Sequence, residues 1–94
     1  MVRDYETIFI VDSEIGEENI TALVQKIKTF IEENATIEAF EEWGNKRLAY
    51  PINDKNEGYY TMVHYKAAPE FPVELERIFK ITEGFVRYLI IKKD

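Results

Sequence analysis

The chain has 94 residues, of which 46% are hydrophobic, and it contains no cysteine. This length and composition predict one small folded domain over residues 1–94, and they exclude disulfides, thiolate zinc sites and a cysteine nucleophile. The formal net charge of −6 is opposite in sign to that of most nucleic-acid-binding proteins. Because the sequence shows neither an apolar stretch of membrane-spanning length nor the layout of a signal peptide, we expect a cytoplasmic location.

The charges are distributed unevenly along the chain. Residues 1–42 carry eleven acidic and three basic side chains, whereas residues 43–94 carry seven acidic and nine basic ones. The basic residues of the second half cluster at 46–47 and 92–93, with Arg87 between these pairs in sequence. Because the electrostatic part of RNA affinity depends on the phosphates that are actually contacted, a local basic face is compatible with modest binding.

The first half of the chain predicts a strand, a helix and a second strand. Residues 5–11 are β-branched and aromatic and almost continuously apolar, which predicts a central strand covered on both faces. Apolar residues at helical spacing predict an amphipathic helix over residues 17–33, with Asn34 as its stop. Residues 36–52 alternate as a long strand, which Gly44 interrupts with a bulge or bend.

The second half of the chain also predicts a strand, a helix and a strand. Residues 53–58 predict a turn-rich hairpin loop, and residues 59–66 alternate as a third strand. Pro69 and Pro72 indicate the start of a second helix, and residues 85–91 predict a fourth strand. The buried stripe of that helix is expected to comprise Val73, Leu75, Ile78 and Phe79, with Thr82 as a possible further member.

The order β-α-β-β-α-β predicts an α+β, ferredoxin-like fold. In this fold a four-stranded antiparallel sheet carries both helices on one face. Right-handed crossovers place the first and third strands in the centre of the sheet and leave its other face available to a partner.

Neither catalysis nor metal binding is indicated by the spacing of residues. His64 lies in mid-strand with no carboxylate at ligand spacing, which favours a structural or solvent-facing role. Neighbouring acids such as Glu41 and Glu42 point apart, and the glycines stand alone rather than in a phosphate-binding loop. We therefore expect no enzyme activity, no metal and no cofactor.

The third strand bears on RNA recognition. It begins Gly58-Tyr59-Tyr60 and lacks the signature led by lysine or arginine that an RNA-recognition motif requires. Either tyrosine is a candidate for stacking on a base, although packing is the more common role of a strand tyrosine. The third strand alone therefore predicts either RNA binding in a mode other than that of an RNA-recognition motif or no RNA binding.

The most distinctive stretch is Trp43 to Ile52. Lys46 and Arg47 follow a glycine and are predicted to project from opposite faces of the strand, and Pro51 indicates an edge strand. These cations either contact a partner or only keep an edge strand soluble, and composition leaves both interpretations open.

At this stretch the chain resembles the bacterial small-subunit ribosomal protein six family. Residues 47–52, Arg-Leu-Ala-Tyr-Pro-Ile, match the family's run of the same residues. Residues 3–6, 58–60 and 86–92 are similar to its N-terminus, the start of its third strand and its closing strand. The four matches occur in order over nearly the whole chain.

The resemblance implies a ferredoxin-like constituent of the small ribosomal subunit. It implies binding to the central domain of small-subunit ribosomal RNA and a heterodimer with small-subunit ribosomal protein eighteen. RNA or partner contacts are expected at Arg3, Tyr5, Arg47 and Arg87, and, on local charge as much as on motif, at Lys46, Lys55 and Lys92. Val86 stands where relatives often have a further basic residue, which implies fewer neutralised phosphates.

Two other functions are compatible with the fold. One is a small-molecule-sensing module that dimerises through its sheet edges. The other is an interaction domain whose partner alone holds the RNA.

Overall fold

The computed structural model describes residues 1–52 and 55–93, with the side chains of residues 49–52 and 55 outside the description. Its main elements are β1 (Arg3–Asp12), α1 (Glu17–Asn34), β2 (Thr36–Ile52), β3 (Lys55–Ala67), α2 (Phe71–Ile81) and β4 (Phe85–Lys92). The strands form one antiparallel sheet in the order β2-β3-β1-β4. This architecture confirms the predicted ferredoxin-like fold and the central positions of β1 and β3.

The core lies between the two helices and one face of the sheet. The strands contribute alternate side chains, among them Phe9, Val63 and Tyr65, each fully buried. Phe79 of α2 sits at the centre of an aromatic group, with ring centroids 5.5 Å from Phe9 and 4.8 Å from Tyr88. Aromatic pairs in these geometries add about 0.5–1.5 kcal/mol each to the stabilisation that burial provides.

The residues at its two ends explain where α1 begins and where it ends. Gly16 precedes the helix with φ of 95°, a conformation that glycine adopts readily, and its carbonyl accepts a hydrogen bond from Ile20 N at 3.0 Å. At the other end Asn34 Nδ2 donates to the carbonyl of Phe30 at 2.9 Å, which satisfies one of the terminal acceptors. Asn34 is the last helical residue, as predicted.

The expectation that β1 is covered on both faces was wrong. Thr7 and Phe9 face the helices and are fully buried, whereas Ile8 between them is only half-buried. The apolar run of β1 is continuous because its second face carries an apolar patch of its own, described below, rather than a second layer of helices.

The predicted hairpin loop is shorter than expected, because β3 begins at Lys55 rather than at Tyr59. Asp12 at the end of β1 pairs with Gly58, so the earlier residues of β3 pair with β2 alone. We call this two-stranded extension, residues 47–52 and 55–57, the hairpin arm. Polar residues can form strands there because the arm extends beyond the core. The predicted loop positions Asn53 and Asp54 lie outside the described residues.

One residue of the predicted α2 stripe was also misplaced. Leu75 and Phe79 are buried, but Val73 is 70% exposed. The helix begins at Phe71, and this ring, rather than Val73, enters the core one turn before Leu75.

No helix in residues 1–52 and 55–93 is both long enough and apolar enough to cross a membrane.

Candidate nucleic-acid and partner interface

The sheet face opposite the helices, here called the open face, is not covered by any other described element. Three rows of paired residues cross it from β2 to β4: Gly44–Tyr60–Ile10–Arg87, Glu41–Met62–Ile8–Leu89 and Ala39–His64–Glu6–Ile91. The first row ends in a cation, the middle row is largely apolar, and the third has the polar residues His64 and Glu6 at its centre. The character of the open face therefore changes along its strands, from a basic end through an apolar centre to a polar end.

The basic end of the open face brings together two of the predicted cations. Arg87 of β4 pairs with Ile10, and Lys46 of β2 pairs with Gly58, and both side chains are exposed. Strand spacing puts their backbones about 15 Å apart, on either side of the half-buried Tyr60. Two cations flanking an aromatic ring suit a short stretch of single-stranded or looped RNA.

Arg47 occupies the opposite face of β2. It pairs with Glu57, while its neighbour Lys46 pairs with the next residue of β3, so the two cations project on opposite sides as predicted. On the side of Arg47, Asn45 Nδ2 donates to Glu57 Oε1 at 3.1 Å. Arg47 therefore lies in a polar setting on the hairpin arm, apart from Lys46 and Arg87.

The remaining predicted cations are at the other end of the sheet. Arg3 begins β1, and Lys92 ends β4, where it pairs with Tyr5. Lys92 lies five positions after Arg87 in β4, which is about 17 Å of strand. The structure thus divides the predicted cations among the basic end of the open face, the hairpin arm and the far end of the sheet. The backbone of Lys55 begins the arm, but its side chain lies outside the described residues.

Tyr5 is a core residue in this structure and not a surface residue. Its side chain is 6% exposed, and its ring stacks on Tyr65 with centroids 5.8 Å apart. Tyr5 shares the helix-facing side of β1 with Thr7 and Phe9, so strand alternation directs it inward. The contact of Tyr5 with RNA or a partner stays a prediction, now for a largely buried side chain.

Sequence reasoning did not identify the apolar centre of the open face. Ile10, Leu48 and Met62 are buried but lie outside the helix-side core, and beside them Leu89 remains 48% exposed. The alternation of residues 59–66 was the available signal, but only the strand pairing shows which residues of β1 and β4 join Met62. An apolar patch with a polar rim is typical of a protein-binding surface.

The helix side of the sheet is acidic near the start of α1. The Tyr59 hydroxyl donates to Glu42 Oε1 at 2.9 Å. Burial raises the pKa of Tyr59 above its usual value, and the hydrogen bond to Glu42 and the charges of Glu42 and Glu17 raise it further. A polyanion therefore meets repulsion on this side and not at the basic end of the open face.

A ferredoxin-like sheet with an apolar centre and a basic end on its open face defines a small α+β interaction domain. The family model for ribosomal protein S6 matches residues 4–92, and the chain belongs to this family. The predicted resemblance is thereby confirmed. Family membership makes it a cytoplasmic protein of the small ribosomal subunit.

Individual relatives agree with this assignment. The chain is 47% identical over 94 residues to the small ribosomal subunit protein bS6 of Clostridium novyi, and 42% identical to that of Caldanaerobacter subterraneus, with 99% of each chain covered in both cases. The crystal structure of 30S ribosomal protein S6 from Thermotoga maritima superposes with a TM-score of 0.92 at 30% identity, covering 99% of this chain and 89% of the other.

Similarity of fold alone is less informative about function than similarity of sequence. The C-terminal domain of the MgtC protein from Mycobacterium tuberculosis has a TM-score of 0.57 at 15% identity, covering 98% of this chain and 88% of that one, which shows a shared fold only.

Proposed function

We propose that this chain is a structural, non-catalytic constituent of the small ribosomal subunit that binds the central domain of small-subunit ribosomal RNA together with small-subunit ribosomal protein eighteen. The observation that carries the proposal is the open face, where a basic end adjoins an apolar centre. One surface thus offers chemistry for both an RNA and a protein.

The cations fall into different proposed roles by position. Lys46 and Arg87 are the proposed RNA contacts, since they are exposed on one face and flank Tyr60. Arg47 and Lys55, on the hairpin arm, are proposed to contact RNA or the protein partner. Arg3 and Lys92, at the far end, would have to meet a second segment, because about 17 Å separates Lys92 from Arg87.

The protein partner is assigned to the apolar centre of the open face. Leu89 is 48% exposed beside the buried Met62 and the half-buried Ile8. Covering such a patch removes apolar surface from water at roughly 25 cal/mol per Å². A partner at this position would also lie directly beside Lys46 and Arg87, so it could extend the basic surface.

The charge of the chain explains why a partner is needed. The net charge is −6, and an acidic region surrounds Glu17 and Glu42 on the helix side. RNA binding by a few cations against this background should be weak and strongly dependent on salt. A basic partner adds phosphate contacts and reduces the long-range repulsion.

This dependence is tested by measuring the affinity of a central-domain RNA fragment for the chain alone, for the partner alone and for both together. We expect the pair to bind at least tenfold more tightly than either component, with a steeper dependence of affinity on salt. Equal affinities with and without the partner would contradict the proposal.

The basic end is tested with the double variant Lys46→Ala and Arg87→Ala. Removing a cation that touches a phosphate should reduce the salt slope by about 0.7–1, and RNA affinity in the pair should fall about tenfold or more. The matched control is Arg77→Ala with Lys80→Ala, which removes the same charge from α2 on the other side of the sheet. Similar reductions in both double variants would show a general charge effect and not a site.

Arg47→Ala separates binding from stability. We expect weaker complex formation with the free energy of unfolding changed by no more than about 0.5 kcal/mol, because the side chain is exposed. A large loss of stability with intact binding would assign Arg47 to the fold of the arm instead.

A further inference from the structure

The polar end of the open face holds a cluster of metal-ligating side chains from three strands. His64 Nε2 of β3 lies 3.7 Å from Asp4 Oδ1 of β1 and 3.6 Å from Glu38 Oε1 of β2. The three ligand atoms all lie within 4.8 Å of one another. This cluster is at the opposite end of the face from Arg87 and plays no part in the proposed RNA contacts.

A β-bulge places the third member of the cluster. Ile37 pairs with Tyr65 and Ala39 with His64, so Glu38 is the extra residue between two consecutive pairs. A bulge redirects a side chain that regular alternation would place elsewhere, and bulges are common beside functional sites. Here it brings the Glu38 carboxylate to the imidazole of a neighbouring strand.

The cluster contains shielded polar atoms without a hydrogen-bond partner in the described part of the chain. Asp4 Oδ1 and His64 Nε2 are each shielded from solvent and have no hydrogen-bond partner among the described residues. An unpaired buried polar atom costs about 1–3 kcal/mol, so native proteins usually satisfy such atoms with a partner, a water or an ion. Two carboxylates and an imidazole leave a position between them that suits a positive charge.

Lys66 does not fill this position. Its Nζ is 3.9 Å from Asp4 Oδ1 and 4.0 Å from Glu38 Oε2, distances that exceed a hydrogen bond, and its side chain is 47% exposed. It forms long ion pairs with both carboxylates of the cluster and can turn outward into solvent on its flexible stem.

We propose that Asp4, Glu38 and His64 bind a divalent metal ion of the zinc class. Imidazole nitrogen and carboxylate oxygen are both ligand types that zinc binds, and two carboxylates balance the charge of the ion. Metal–ligand bonds of about 2.0–2.2 Å in tetrahedral geometry separate ligands by about 3.3–3.5 Å. The 3.6 and 3.7 Å from His64 Nε2 need only a small contraction, and the ligand atoms of Asp4 and Glu38 lie within 4.8 Å of one another. Solvent would occupy the fourth position.

The bound ion would join β1, β2 and β3 at the polar end of the sheet. Because the three ligands come together only in the folded sheet, binding stabilises the native state in proportion to the logarithm of the free metal concentration.

The test is a titration of the whole chain with Zn²⁺ at pH 7.5, followed by calorimetry and by the NMR signals of the imidazole ring. His64 is the only histidine in the sequence, so these signals report on the site alone. We expect one ion per chain, a shift of the His64 ring signals at the same stoichiometry, and a rise in melting temperature with Zn²⁺.

Variants separate the site from general surface binding. His64→Gln and Glu38→Gln should each lower the Zn²⁺ affinity at least tenfold, whereas Lys66→Met should raise it several-fold by removing a competing cation. Glu32→Gln on the exposed face of α1 removes the same charge as Glu38→Gln and should leave the affinity unchanged.

Two results would overturn the proposal. One is Zn²⁺ binding that His64→Gln leaves unchanged, and the other is the absence of any shift in the His64 ring at millimolar Zn²⁺. The wild-type NMR titration gives this answer even where a variant is unstable.

Discussion

At the scale of single residues, the pair Thr7 and Tyr65 shows how the core accommodates polar atoms. The Tyr65 hydroxyl lies 2.9 Å from Thr7 Oγ1, and both side chains are fully buried. Burial raises the pKa of Tyr65 to about 12, although the hydrogen bond to Thr7 lowers it and the nearby Tyr5 raises it slightly. The folded chain therefore keeps this proton at a pH where the unfolded chain has lost it.

This difference predicts a loss of stability at alkaline pH. The contribution of Tyr65 is fully present below pH ~10, the ordinary tyrosine pKa, and is lost as the pH rises towards about 12. Over that range the unfolded chain binds fewer protons, so the free energy of unfolding falls by up to about 1.4 kcal/mol per pH unit. Urea denaturation from pH 9 to 12 should show a shallower decline in Tyr65→Phe than in the wild type.

Thr7→Val provides the control for this prediction. It removes the hydrogen-bond partner but leaves the Tyr65 ring buried, so the alkaline decline should persist while stability at pH 7 falls by about 1–3 kcal/mol. An equal alkaline decline in Tyr65→Phe and the wild type would show that another group is responsible.

Single residues also show which features of the site could not be predicted from the sequence. The helical period predicted the buried face of Leu75 and Phe79, because periodicity is a local property. The partners of His64 were missed because Asp4 and Glu38 lie on two other strands, one of them displaced by a bulge. Ligand spacing along a chain detects sites within one element and not sites assembled across a sheet.

At the scale of elements, α2 shows how the choice of the first buried residue changes a predicted stripe. Its buried residues are Phe71, Leu75 and Phe79, spaced by one helical turn, and Val73 falls on the exposed side. Starting the pattern at Val73 instead of Phe71 included a valine that does not share the face. The prolines located the start of the helix to within a residue or two but did not specify which side faces the core.

Leu75 and Val73 make a matched pair of positions for measuring the effect of burial on stability. Leu75→Ala should reduce the free energy of unfolding by about 2–5 kcal/mol, because the side chain is fully buried. Val73→Ala should change it by less than about 0.5 kcal/mol, because 70% of the side chain is already exposed. Chemical denaturation of both variants checks this, and comparable losses would place Val73 in the core.

At the scale of the whole molecule, β1 links the two halves of the chain. It pairs with β3 on one side and with β4 on the other, and both helices pack over the same face. The order of elements was sufficient to predict this topology, since right-handed crossovers leave few alternatives. The distribution of charge over the open face was not predictable, because it depends on register as well as on order.

The shared core predicts that residues 1–94 unfold as one cooperative unit. Trp43, on the edge strand β2, reports on the sheet through its fluorescence, and far-UV circular dichroism reports mainly on the helices. The two transitions should have the same midpoint in urea. An earlier transition of Trp43 would mean that β2 and the hairpin arm unfold separately and that the single-domain prediction fails.

The irregular pairing of β2 has a further consequence for the protein before assembly. β2 has register shifts after Ile37, Glu42 and Arg47, and one of its sides has no strand partner in the described sheet. A flat, regular edge of this length is a template on which another copy can add a strand, which is the first step towards fibrils. The bulges distort that template and the charges of Glu41 and Lys46 discourage close approach. We therefore expect these features to hinder unassembled copies from adding strands to one another.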